Sequence, residues 1–99
     1  MSELNDAKKE VSDACNVVAN AGLTELYAGH VSSRIGDIAL IPAHLHHEGR
    51  GMESMTPEQI ISVDLKTGEQ DPKELELPEE DTIHTSIFAV REDVKSCVH

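Results

Sequence analysis

Pro78-Glu79-Glu80-Asp81-Thr82-Ile83-His84, running on through Ile87, Phe88 and Val90 to Cys97-Val98-His99, is the stretch whose reading decides the fold. Proline is tolerated in the first turn of a helix, and the carboxylates that follow it are favoured there by the helix dipole, so a helix over 79–90 is predicted. Ile83, Ile87 and Val90, at i, i+4 and i+7, are its expected buried face. Arg91-Glu92-Asp93 closes it, and Val94 to Val98 predicts a strand. The start of such a helix comes near the end of the following strand only if the two run antiparallel. In that geometry Glu80 and His99 face one another, a carboxylate and an imidazole that could share one small-molecule site.

Upstream, the pattern predicts a helix, a β-hairpin, a long loop, a short helix, a strand and an acidic connection. Leu4, Ala7, Val11, Ala14, Cys15 and Val18 form one helical stripe, and Gly22 supplies a C-terminal stop. His30 to Ile35 and Ile38 to Ile41 flank Gly36-Asp37, a dipeptide suited to a two-residue hairpin turn. Thr56-Pro57-Glu58-Gln59 has the form of a capping box with proline at the first helical position, and Ile61 to Leu65 reads as a strand. The acidic residues from Glu69 to Asp81 read as a solvated surface segment. No repeat or internal boundary divides the chain, so residues 1–99 are expected to belong to one domain.

The loop Pro42-Ala43-His44-Leu45-His46-His47-Glu48-Gly49-Arg50-Gly51 is dense in chemistry. Three histidines and a glutamate invite a metal reading, but structural zinc draws its ligands from separated elements, with cysteine commonly among them. Substrate contact and a plain solvated loop both carry more weight, because binding residues concentrate on loops held by a scaffold. Arg50 is the best candidate for an anionic substrate group, its planar fork matching a carboxylate or a phosphate.

The formal charge of -11, from 19 acidic and 8 basic residues, argues against nucleic-acid backbones and anionic membrane surfaces. No apolar run approaches the roughly 18 residues of a membrane span, and no signal peptide is visible. Cys15 and Cys97 sit at apolar positions and read as reduced core thiols of a cytoplasmic protein.

Five blocks resemble the class II aldolase/adducin family, in order: Gly29-His30-Val31-Ser32-Ser33-Arg34; Thr56-Pro57-Glu58; Val63-Asp64-Leu65; Glu80 with His84; and Val98-His99. The resemblance implies an α/β fold of αβα layers around a mainly antiparallel sheet. About the N-terminal half of that fold is present, truncated at the metal-ligand strand, and the last strand is left as an edge. It implies a divalent metal, zinc foremost with Mn, Co or Mg as alternatives, held by His99 and by further histidines expected beyond it. It also implies Glu80 as the catalytic acid/base, a small-molecule substrate, and a homotetramer when intact. The 99-residue chain alone is expected to be inactive.

Departures from the sugar-phosphate members of the family bear on the substrate. Where those place hydroxyls and a glycine to hold phosphate, this chain has Pro42-Ala43-His44 and Pro78-Glu79, and Glu79 would repel a phosphate. His30 replaces the usual asparagine. The His-His-Glu-Gly-Arg loop resembles branches that decarboxylate carboxylated ring compounds, so His30, His47 and Arg50 are the expected substrate contacts. The expected function is metal-dependent cleavage of a carbon–carbon bond through an enediolate or enolate, by decarboxylation or retro-aldol cleavage. A sugar-phosphate aldolase or 4-epimerase is the alternative, and a non-catalytic adducin-like or inactive fragment is another. His84, Ser32 and Arg34 read as structural residues.

Overall fold

The structure is a computed structural model that describes residues 3–21, 31–43, 55–78 and 81–98. Helix α1 (Glu3–Asn20) is followed by strands β1 (Val31–Ile35) and β2 (Ile38–Pro42), a 3-10 turn at Pro57–Gln59, and β3 (Ile60–Asp64). Then come β4 (Gln70–Asp71), helix α2 (Asp81–Val90) and β5 (Ser96–Val98). The strands form one antiparallel sheet in the order β4-β3-β2-β1-β5, which puts β5 at an edge of the described sheet. None of the described helices is long and apolar enough to cross a membrane.

α1 forms on the stripe expected of it. Val11 and Cys15 are buried, and Leu4, Ala7, Ala14 and Val18 pack against the core. The hairpin turns at Gly36, whose φ of +56° is a left-handed conformation that glycine adopts at least cost. Val31 and Ser33 line a recess with Glu10, Val11 and Ala14 of α1. Ser32 and Arg34, the alternate residues of β1, reach α2. Because strand side chains alternate, the two helices lie on opposite faces of the sheet, and the layers are α/β/α as expected. Ala39, Leu40, Ile41, Ile60 and Ile61 are all fully buried, as two-sided cover requires.

Two local expectations are corrected and a third gains detail. The buried face of α2 is His84 and Phe88, both fully buried, while Ile83 and Ile87 are 39% and 37% exposed and Val90 is 80% exposed. Counting only apolar residues missed this, because Ser32 gives the imidazole a hydrogen-bond partner and so lets a polar ring join the inward stripe. The Thr56–Gln59 segment makes a single 3-10 turn rather than an α-helix. Its Gln59 side chain accepts the Thr56 N–H at 3.1 Å, and the chain turns straight into β3. The acidic connection is solvated at Glu69, Asp71, Glu74 and Glu76, but it is not featureless. Gln70–Asp71 adds a strand to β3, and the Gln70 amide donates to the carbonyls of Pro72 and Leu75, so that Leu75 and Leu77 can pack on the core.

Candidate functional site

The direction of α2 follows from its two contacts with β1. Ser32 Oγ shares a hydrogen bond of 2.5 Å with His84 Nδ1, and Arg34 Nη1 donates to the Phe88 carbonyl at 2.6 Å. Contacts thus advance together, 32 to 34 and 84 to 88, so α2 runs in the direction of β1. Strand β5 pairs antiparallel with β1 in the register Val31↔Val98, Ser32↔Cys97 and Ser33↔Ser96. Helix α2 and β5 are therefore antiparallel, the condition under which the start of the one meets the end of the other. Exposed Arg91 bonds Asp93 at 2.7 Å in the turn between them, and this pairing holds the Asp93 carboxyl below its ordinary range.

The same register shows which chain positions gather at that end of the sheet. Val31 opens β1, and Val98 lies opposite it at the end of β5. The Ser33↔Leu40 and Pro42↔Ile60 pairs put the end of β2 and the start of β3 there too, with the Ala43 N–H bonded to the Gln59 carbonyl. Asp81, at the described start of α2, belongs to that end by the direction of the helix. In sequence these positions adjoin His30, His99, the segment from His44 to Ser54, and Glu80. The expected site residues themselves, Glu80, His30, His47, Arg50 and His99, lie outside the described residues. So do the expected approach of Glu80 to His99 and the Gly22 stop.

Next to that end, on the α2 face, His84 and Ser32 are fully buried, and the register puts Cys97 beside Ser32 on the same face. Cys97 is half-buried, which raises its thiol pKa. Cys15, on the opposite face, is fully buried and is pushed up from 9.0 to about 12 by desolvation, opposed by a hydrogen bond with the Val31 backbone. Both thiols are free. Arg34 is a clamp: besides the Phe88 carbonyl it donates through Nε to the Gly36 carbonyl at 2.6 Å, and it lies 3.6 Å from Asp37. A recess of about 340 Å³ between α2 (Thr85, Ser86, Ala89) and Val63, Asp64, Leu65, Gly68 and Leu77 opens away from this end. Among the described residues, no histidine, cysteine or arginine lines it.

Among the described residues, no group of three or more His, Cys, Asp or Glu is placed to hold a metal ion. The described donors therefore do not amount to a divalent-metal site by themselves. Sequence reasoning assigned the His84–Ser32 pair to structure without seeing that the two bond each other. The signal available was that each sits inside a block of the resemblance, Ser32 in the first and His84 in the fourth.

The sequence profile described as class II aldolase and adducin N-terminal domain matches residues 9–99. The chain is 32% identical over 97 residues to a 3,4-dihydroxyphthalate decarboxylase of Arthrobacter keyseri, covering 94% of this chain and 39% of that protein. A protein of the same name from Terrabacter sp. (strain DBF63) is 33% identical over 92 residues, covering 90% and 38%. Among solved structures, the L-fuculose 1-phosphate aldolase from Glaciozyma antarctica PI12 superposes with a TM-score of 0.78 at 21% identity, covering 98% of this chain and 40% of that one. The chain thus spans about two fifths of the length of the curated relatives it matches.

Proposed function

Because the chain belongs to the class II aldolase and adducin family, we propose that the intact protein is a lyase that breaks a carbon–carbon bond of a small carboxylated substrate. Decarboxylation of a carboxylated aromatic ring is the favoured case. The observation that carries the reading is the gathering, at one end of the sheet, of the described residues that lead into Glu80, His30, His99 and the His44–Arg50 loop. The decarboxylase name borne by two relatives supports a carboxylated ring as substrate. The likeness to L-fuculose 1-phosphate aldolase extends to the fold alone.

On this reading Arg50, with His47 and His30, grips a substrate carboxylate, the guanidinium fork supplying paired charge-assisted hydrogen bonds. When the bond to the departing carboxylate breaks, carbon dioxide leaves, and the electron pair stays with the carbon it was attached to. Glu80, protonated, gives its proton to that carbon and is recharged from solvent. A divalent cation, zinc foremost with Mn, Co or Mg as alternatives, would supply a Lewis acid for such an anion. His99 would be one ligand, and the others would come from outside these 99 residues. The 99-residue chain by itself would be inactive, and the intact protein would work as a homotetramer in the cytoplasm.

Competition kinetics on the intact protein test the substrate class. With 3,4-dihydroxyphthalate as substrate, small dicarboxylates should inhibit well and inorganic phosphate poorly. Strong inhibition by phosphate esters, with turnover of a sugar phosphate, would replace this reading with aldol cleavage or epimerisation.

A further inference from the structure

Among the described residues, two hydrogen bonds join helix α2 to side chains of β1. Ser32 and Arg34, two residues apart on one face of β1, hold His84 and the Phe88 carbonyl, four residues apart on α2. The repeats match: four residues of helix rise about 6 Å and two of strand about 6.6 Å. Arg34 also serves the hairpin turn through the Gly36 carbonyl. The bond between Ser32 and His84 joins two fully buried side chains close to the described start of the helix.

Stability alone does not account for this pair. An apolar pair of the same shape can be as stable as a buried hydrogen-bonded one, because each polar partner gives up water on burial. What an apolar pair lacks is direction. A hydrogen bond weakens steeply as it is misaligned, so it fixes the rotation of α2 about its axis and its height against β1, where packed methyl groups could slide. His84 has no exposed surface with which to meet a substrate, and Glu80 stands four residues before it in sequence.

We propose that His84 is a positioning residue: through its bond to Ser32 it sets where the described start of α2, which Glu80 immediately precedes in sequence, stands against the end of β1. The inference rests on the assignment of Glu80 made above.

A mutant cycle on the intact, metal-loaded protein, with 3,4-dihydroxyphthalate as probe, tests it. Ser32→Ala and His84→Leu should each lower kcat about tenfold or more while KM moves less than about threefold, the signature of an interaction realised in the transition state. His84→Asn puts an amide group near the Nδ1 position, keeps a partner for Ser32 and should hold kcat within about threefold of wild type. In the Glu80→Gln background, Ser32→Ala should lower turnover no further, because residues acting through one group are not additive. Equal losses from Ser32→Ala in both backgrounds, or a His84→Asn protein as slow as His84→Leu, would overturn the proposal. Should His84→Leu fail to fold, Ser32→Ala, which removes one oxygen, carries the test alone. If Glu80→Gln itself leaves turnover unchanged, the assignment of Glu80 falls, and this inference with it.

Discussion

Replacing Phe88 and Ile87 in parallel tests which face of α2 meets the sheet. Phe88 is fully buried, and cutting a buried phenylalanine back to alanine costs about 3–5 kcal/mol, the lost transfer energy adding to the cavity left behind. Ile87 keeps 37% of its surface in water and borders solvent into which neighbours can relax, so Ile87→Ala should cost only about 1–2 kcal/mol. Val90→Ala, at 80% exposure, should fall within about 0.5 kcal/mol of wild type. With a urea slope of about 1–3 kcal/mol/M, the first two variants of the 99-residue chain should differ in midpoint by about 1–2 M. The assay is far-ultraviolet circular dichroism across a urea series, with Phe88→Leu as a milder variant if Phe88→Ala is unfolded in buffer. An Ile87→Ala loss as large as that of Phe88→Ala would refute the inward face described above and restore the Ile83, Ile87, Val90 stripe.

Arg34→Lys should cost about 1–3 kcal/mol in the same assay, since one ammonium cannot hold the Gly36 and Phe88 carbonyls together; an unchanged midpoint would remove the clamp. The pH dependence of stability should carry the mark of Cys15, whose thiol ionises near 9.0 when free and near 12 in the fold. The folded state binds this proton more tightly, so its contribution is whole below pH 9 and is lost as pH rises from there toward 12. By pH 10.5 the loss should reach about 1–2 kcal/mol, and Cys15→Ala should flatten that part of the profile. Identical slopes for the two proteins between pH 9 and 10.5 would contradict the burial argument.

Much of the fold was legible because each element carried its own period. The Leu4 to Val18 stripe gave α1, Gly36-Asp37 fixed the hairpin, and the β-branched runs gave β3 and β5, all of them local signals that packing reinforced. Three details were decided elsewhere. The inward turn of His84 depends on Ser32, 52 residues earlier in the chain, and no helical period reports a partner on another strand. The strand at Gln70–Asp71 is too short to show alternation and exists because β3 offers it an edge. The Thr56–Gln59 box marked a helix start at the right place, but it could not say that β3 would take over after one turn. For the site, the resemblance named Glu80 and His99 and residue type named Arg50, while the meeting of their flanking segments at one end of the sheet needed the register of β1, β2 and β5 and the direction of α2.

The most direct test of the account is the turnover of 3,4-dihydroxyphthalate by intact Glu80→Gln protein, with bound metal measured in the same sample. A carboxylate that moves the proton should be worth about 100-fold or more in kcat while metal content stays at the wild-type level. Turnover equal to wild type at full metal occupancy would contradict the claim that Glu80 is the acid/base of this site.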